Sequence, residues 1–189
     1  MARLGARFGM TRYEADEYYR IAIGHYEKRN LDKAILEMDN AIDLYARRAE
    51  YWATRGYFKL EDGLYPEATE DFDRALEINP YEILANYGKG AVAYYSDDFE
   101  VAREYFIQAW AADSERPEIH YYIALTHHRQ RDNAEAKEWM QQAADIYAKT
   151  AEDDKDARKQ MKNAERWIRE FNKLIKAQQQ RDKKAQSTS

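Results

Sequence analysis

The chain contains no cysteine, only three prolines and seven glycines among 189 residues, and no apolar run long enough to cross a membrane. The lack of cysteine excludes disulfide bonds and cysteine-ligated metal sites. The scarcity of helix-breaking residues favours long helices joined by short turns. Because a membrane-spanning helix needs about 20 apolar residues, we expect no membrane insertion. The absence of cysteine agrees with a location in the reducing cytoplasm.

The charge is acidic overall and unevenly distributed. The net charge of −5 argues against a general affinity for nucleic acids. Residues 49–116 hold six Lys and Arg against fifteen Asp and Glu, whereas residues 117–189 hold fifteen against twelve. Two interpretations stay open. Opposite poles could steer a partner or favour head-to-tail association into a homo-oligomer, or the charges could simply cover solvated helix faces.

A period of 34 residues runs through most of the chain, with small residues in three registers and large residues in a fourth. Such a period predicts an array of helical hairpins, each stacked on the next. Small side chains let two helices approach closely, and the large ones fill the gap toward the next hairpin. A bulky replacement at Gly90 or Ala102 is therefore expected to cost about 1–3 kcal/mol. The registers are Ala34, Ala68, Ala102 and Ala136; Ala41, Ala75, Ala109 and Ala143; Ala22, Gly56, Gly90 and Ala124; and Met38, Phe72, Phe106 and Met140.

The same pattern divides the chain into segments. Residues 1–10 are expected to be flexible, and residues 11–150 to form four repeats at 15–48, 49–82, 83–116 and 117–150. Apolar residues at steps of four and three from Ala157 to Ile175 predict one amphipathic helix within 151–178, which would cap the last repeat. Residues 179–189 lack an apolar anchor and are expected to be disordered.

Short turns within the repeats predict pairs of antiparallel helices. The first begins with Thr11 and Glu14 at the spacing of a capping box. The predicted repeat helices span residues 11–28, 31–45, 48–61, 65–78, 81–95, 98–112, 116–130 and 133–148.

The second repeat follows the pattern W-x₂-L-G-x₂-Y, A-x₃-F and P, with Trp52, Gly56, Tyr65, Ala68, Phe72, Ala75 and Pro80. Over residues 15–150 the chain therefore resembles the tetratricopeptide repeat family. The resemblance implies an all-α fold, a right-handed superhelical solenoid of antiparallel helical hairpins. It also implies a protein-binding scaffold rather than an enzyme, but it does not identify the partner, because the family hosts many functions. Arg55 and Lys89 depart from the pattern by replacing its usual leucine.

Stacked hairpins of this type curve, and their first helices line the concave face. Tyrosine dominates the residues expected on that face, above small residues at Ala53, Gly88 and Ala91. Tyrosine combines apolar area with a hydroxyl group and little rotamer entropy, so we expect a groove that binds a partner peptide or helix. The alternative is that several of these tyrosines belong to the core. The predicted partner-binding residues are Tyr19, Arg20, Tyr26, Tyr57, Tyr87, Tyr94, Tyr121, Tyr122 and Arg129.

Catalytic and metal-binding functions find no support in the sequence. It contains no phosphate-binding loop, nucleophile elbow or zinc-ligand spacing, so we predict no catalytic residue, metal or cofactor. His25 and His127 replace aromatic residues of the repeat and are expected to pack in the core. His120 and His127 lie two helical turns apart, about 10 Å, which is too far to share one metal ion.

Three further binding functions can be compared. Some tetratricopeptide proteins grip chaperone C-termini with lysine and asparagine, but the matching positions here hold neither. RNA binding, as in related helical-hairpin repeats, is disfavoured by the strict 34-residue spacing and the acidic middle. The main alternative is a structural subunit or self-assembling component. It is suggested by the charge asymmetry and by Trp167 and Leu174, which exceed what covering one hairpin requires. The five clamp positions hold Tyr19, Ile23, Thr54, Leu84 and Gly88.

Overall fold

A computed structural model describes residues 10–187, and in that range the chain forms nine α-helices and no strand. The predicted all-α fold is confirmed, and the first eight helices begin and end within two residues of the predicted positions. The helices are α1 (Met10–Glu27), α2 (Leu31–Leu44), α3 (Ala49–Glu61), α4 (Tyr65–Ile78), α5 (Ile83–Tyr95), α6 (Phe99–Ala112), α7 (Pro117–Arg129), α8 (Asn133–Ala148) and α9 (Lys155–Gln186).

Each hairpin turn repeats one backbone geometry at the same 34-residue interval. Arg29, Gly63, Asp97 and Arg131 all have positive φ, between 59° and 81°. The next residue is the N-cap of the second helix. In three of the four turns this residue is Asn or Asp, and its side chain accepts a hydrogen bond from the backbone N–H three residues on. A positive φ strains the backbone of most residues but not of glycine. Among these four turns, only the one at Gly63 is therefore free of backbone strain.

The chain divides after Ser96 into two compact units, α1–α5 and α6–α9. In the first unit, α1 packs on α2, α3 on α4, and α5 contacts both α3 and α4. The small residues predicted to face a partner helix are fully buried there, including Ala22 and Ala34. A Cβ atom on Gly56 would lie 2.8 Å from the Phe72 ring and 3.1 Å from the Ala68 carbonyl oxygen. The predicted close contact of α3 with α4 is therefore confirmed.

The sequence pattern suggested that Gly88 forms part of an open groove floor, but the structure places it elsewhere. It is buried against Phe72, and a Cβ atom at this position would lie 2.1 Å from that ring. Phe72 is fully buried, so its ring fills the space between α4 and the first helices on either side. Gly88 therefore sets the distance between one hairpin and the next.

Alanine at Gly88 and alanine at Gly24 should change stability in opposite directions. Gly88→Ala should destabilise the protein by about 1–3 kcal/mol, because the buried Phe72 ring has no room to move away. Gly24→Ala should stabilise it by about 0.5–1 kcal/mol, since no atom lies within 4 Å of the added carbon and alanine favours the helix. Urea unfolding of both variants measures the difference, and equal effects would contradict this packing.

Arg55, one of the two cations that replace the family leucine, forms ion pairs between helices. Arg55 on α3 pairs with Asp39 on α2 at 2.6 Å and with Asp71 on α4 at 2.5 Å. Lys59 contacts the same Asp71 carboxylate at 2.8 Å, and that carboxylate is buried. The Arg55 guanidinium also lies 4.9 Å from the centre of the Trp52 ring. A charged network therefore joins three helices where the family usually has an apolar contact.

Removing the charge of Asp71 should cost far more stability than removing that of Asp73. Asp71→Asn would leave Arg55 and Lys59, each about one-sixth exposed, without their shared anion, at a cost of about 3 kcal/mol. Asp73, which pairs with Lys89 at 2.6 Å, is 55% exposed, and Asp73→Asn should cost less than about 1 kcal/mol. Thermal and urea unfolding compare the two variants. Similar losses of stability in both variants would show that the buried ion pairs of Asp71 contribute no more than the exposed pair of Asp73.

In the second unit, α7 packs on α6 and α8, and α9 packs along α8. Ala164 and Phe171 of α9 are fully buried and share a cluster with Met140 and Ala144 of α8. The amphipathic helix predicted to follow the repeats therefore covers the apolar face of the last hairpin. Trp167 and Leu174 also pack against this cluster. Both side chains therefore contribute to the contact between α9 and the last hairpin.

The expected disorder of residues 179–189 is wrong for the part described, because α9 continues to Gln186. No proline or glycine interrupts the helix, and apart from Asp182 its last turns consist of Ala, Gln, Lys and Arg, which favour helical structure. A hydrogen bond of 2.8 Å from Gln178 to Asp182 supports this extension. Residues 1–9 of the predicted flexible segment, and residues 188–189, lie outside the described part of the chain. Met10 begins α1.

Candidate functional site

Three predicted tyrosines of the first unit form a row across successive first helices. Tyr26 on α1 lies 5.9 Å from Tyr57 on α3, and Tyr57 lies 6.5 Å from Tyr87 on α5, measured between ring centres. All three side chains are half-buried. We call this row the tyrosine ladder. It presents aromatic faces and hydroxyl groups along three hairpins.

The ladder crosses the repeat diagonally. Its members are separated by 31 and 30 residues rather than by 34, so each tyrosine lies about one helical turn nearer the start of its helix than the one before. The 34-residue registers therefore do not predict which tyrosines meet. Tyr26 also stacks on the buried Phe58 at 4.9 Å, so the ladder is anchored in the core on one side.

Tyr19 belongs to a second group, centred on Arg48. Its ring stacks on Tyr51 at 5.6 Å, and its hydroxyl donates to Glu50 at 3.1 Å. The Arg48 guanidinium lies 4.9 Å from the Tyr51 ring centre and pairs with both Asp16 and Glu50. Arg48 and Tyr51 were not among the predicted site residues. Two of their partners, Asp16 and Tyr19, lie on α1, so no local sequence signal marks the whole group.

The hydroxyl of Tyr51 is held in its protonated form. Burial, and then a hydrogen bond of 2.6 Å donated to Asp16, raise the pKa of Tyr51 to about 12. Burial and the nearby charge of Glu50 likewise raise the pKa of Tyr19. Both hydroxyl groups therefore remain hydrogen-bond donors at neutral pH, and each donates to a carboxylate on another helix, Tyr51 from α3 to α1 and Tyr19 from α1 to α3.

Replacing Tyr51 by phenylalanine should alter how stability depends on pH. The pKa of Tyr51 is about 12 in the folded protein and about 10 in an unfolded chain, so the stabilisation is complete below pH 10 and is lost as the pH rises toward 12. Tyr51→Phe should cost about 1–2 kcal/mol at pH 8, and its difference from the wild type should shrink above pH 10. Urea unfolding across this range tests the expectation, and parallel profiles would contradict it.

The remaining predicted residues of the first unit lie elsewhere. Tyr94 is near the end of α5, with its ring 6.0 Å from that of Tyr95, which in turn lies 5.9 Å from Tyr65. Tyr65 and Tyr95 are 41% and 51% exposed and form an aromatic group beside the hairpin turns. Arg20 is exposed and pairs with Glu17 on its own helix.

The predicted residues of the second unit are engaged by their own unit. Tyr122 stacks on the buried Phe106 at 5.4 Å. Tyr121 accepts a hydrogen bond of 2.9 Å from the indole N–H of Trp167, so α9 lies against it. Arg129 pairs with Asp97 at 2.5 Å and lies 4.8 Å from the centre of the Phe99 ring. The sequence did not indicate that the terminal helix would reach Tyr121.

The histidines of the second unit have structural contacts. Trp110 donates to Nε2 of the buried His120 at 3.2 Å, and Nδ1 of His120 lies 3.1 Å from the Arg116 carbonyl oxygen. His128 packs on Trp167 and Phe171 at 5.4 and 5.2 Å. Among residues 10–187, no three histidine or acidic side chains are grouped in a way that could hold a metal ion.

None of the helices in the described part of the chain has the length and apolarity needed to span a membrane.

Comparison with protein families gives two matched segments. The model of the tetratricopeptide repeat matches residues 19–83 and 87–151, which together exceed half of the chain. A "TPR repeat-containing protein" of Methanocaldococcus jannaschii is 37% identical over 83 residues, covering 41% of this chain and 23% of that protein. Human "DnaJ homolog subfamily C member 7" is 30% identical over 93 residues, covering 49% and 19%. The chain thus spans less than a quarter of either relative.

Solved structures resemble the chain over most of its length. PilF of Pseudomonas aeruginosa has a TM-score of 0.67 at 19% identity, covering 88% of this chain and 77% of that one. MamA of Desulfovibrio magneticus has a TM-score of 0.60 at 20% identity, covering 87% and 96%. At this identity the likeness supports the fold of stacked helical hairpins and no more.

Proposed function

Because the chain belongs to the tetratricopeptide repeat family, whose members are generally scaffolds for protein–protein interaction, we propose that it is a non-catalytic module that binds a partner peptide or helix through its tyrosine-rich face. The observation that carries this proposal is the tyrosine ladder of Tyr26, Tyr57 and Tyr87. We further propose that the module acts in the cytoplasm and has no nucleic-acid partner, on the basis of its missing cysteines and acidic charge.

The half-burial of the ladder suits it to binding. A tyrosine already packed on one side loses little conformational freedom when a partner covers the other. The ladder presents such rings on three hairpins, so an apolar or aromatic partner segment would gain burial along its length. The hydroxyl groups would fix the partner's position by hydrogen bonds.

The chemistry of the face also limits the partner. Tyr19, Thr54 and Leu84 stand where chaperone-tail binders of the family carry their charged clamp, so a C-terminal carboxylate has no counter-ion there. Two of the three ladder residues, Tyr57 and Tyr87, lie within the acidic segment 49–116. The proposed partner is therefore an apolar or aromatic segment, neutral or basic in its flanks, rather than an acidic tail.

Two double variants with the same chemical change test the ladder. Tyr57→Ala with Tyr87→Ala should weaken partner capture at least tenfold, because aromatic residues at the centre of an interface contribute most of its affinity. Tyr13→Ala with Tyr81→Ala removes two tyrosines that are 78% and 77% exposed and lie outside the ladder, and should leave capture unchanged. The measurement is quantitative cross-linking and pull-down from the native cell, followed by titration with the captured segment. Equal capture by both double variants would refute the ladder as the binding site.

A structural role, as a subunit or self-assembling component, is the second candidate function. Trp167 and Leu174 no longer motivate it, because both pack in the capping interface. The observation that favours it is the uneven charge, which α9 concentrates: this helix holds eleven Lys and Arg against four Asp and Glu.

A further inference from the structure

A continuous row of basic residues lies on the outer side of α9. Its members follow one another at steps of four and three, and every one of them is exposed. Each of the first six lies two residues before a member of the apolar stripe that faces α8, so the row points nearly to the opposite side of the helix. We call it the basic stripe, and it consists of Lys155, Lys159, Lys162, Arg166, Arg169, Lys173 and Lys176.

Most of this charge is not neutralised within the molecule. Lys173 pairs with Glu170 at 3.1 Å, but among residues 10–187 no ion pair links the other six to a carboxylate. The stripe extends over about 32 Å of helix. Its backbone is well supported, because the opposite face of α9 is buried on α8 and the Arg158 guanidinium donates to the Ala151 carbonyl oxygen at 2.8 Å.

The chain also carries an exposed surface of opposite sign, at the start of α4. Residues 61–78 contain seven acidic residues and a single arginine. Some of these acids are compensated, as Asp71 is by Arg55 and Lys59. Asp62, Glu67 and Glu70 are exposed and have no ion pair in the described residues. We call these three residues the acidic face.

We propose that the basic stripe of one copy docks on the acidic face of a second copy. The two surfaces have opposite charge, and the stripe lies on a helix that is packed along α8. An anionic membrane or a nucleic acid would also meet the rest of this acidic chain, whose net charge of −5 repels it. A second copy carries the same net charge, but it meets the stripe through a local acidic face, and the rest of its surface carries charges of both signs. The stripe and the face are different surfaces, so the contact is head-to-tail and repeats from copy to copy.

This inference rests on the second candidate function and does not depend on the tyrosine ladder. Its physical signature is sensitivity to salt, since exposed charges are screened within about 10 Å at 0.1 M salt. The wild type at tens of micromolar should sediment as a concentration-dependent assembly of at least twice the monomer mass in low salt. It should return to monomer at about 0.5 M salt, where screening is much stronger.

Two charge-reversed variants provide the decisive test. The α9 variant carries Lys162→Glu, Arg166→Glu and Arg169→Glu, and the α4 variant carries Glu67→Lys and Glu70→Lys. Each alone should be monomeric in low salt, because the α9 variant loses almost all net positive charge from its stripe, and the α4 variant presents a net positive face to a positive stripe. Mixing the two should restore association, since each variant supplies what the other needs. The Tyr57→Ala, Tyr87→Ala variant should assemble like the wild type, which separates this proposal from the ladder.

A matched control excludes an effect of net charge alone. Arg12→Glu, Lys33→Glu and Arg47→Glu change the net charge by the same amount at exposed positions outside α9, and this variant should still assemble. Circular dichroism checks that every variant keeps its helices. A wild type that stays monomeric in low salt, or a mixture that does not associate, would overturn the proposal. Binding of monomeric wild type to phosphatidylserine vesicles or to RNA, lost in the α9 variant, would also overturn it by giving the stripe another occupant.

Discussion

The close approach of helices around Phe72 is the contact on which the first unit depends. Its ring lies against Gly56 of its own hairpin and against Gly88 of the next. Both glycines are buried and neither position has room for a Cβ atom. The large side chain of Phe72 lies between two glycines that have no side chain, and this packing fixes the separation of α3, α4 and α5. The spacing of Tyr57 on α3 and Tyr87 on α5 follows from this contact.

The tyrosine ladder is one result of that spacing. Rings on successive first helices come within about 6 Å of each other, a distance at which aromatic pairs attract. The two interpretations of the tyrosines offered by the sequence are therefore not exclusive. Tyr26 stacks on buried Phe58 and is still half-exposed. A residue that supports the hairpin stack can also present a surface to a partner.

Charge is used in two different ways in this chain. Inside the first unit, Arg55 replaces the family leucine and joins Lys59 at the buried Asp71, in a network of charges on three helices. On the surface, the cations of α9 and the acids near the start of α4 remain largely uncompensated. The first arrangement holds helices together, whereas the second leaves charge available for other molecules.

The sequence determined the class of fold and the helix positions, because the 34-residue spacing of small and large residues indicates which side chains of successive hairpins pack together. It also predicted a capping helix, though it missed the extension to Gln186, since an amphipathic stripe reports burial and not where a solvated helix ends. Tertiary structure alone decided that Gly88 lies under Phe72, that Tyr26, Tyr57 and Tyr87 meet across the repeat, and that Trp167 reaches Tyr121. These contacts join residues from different helices. They depend on the distance and rotation between helices, which no single stretch of sequence specifies.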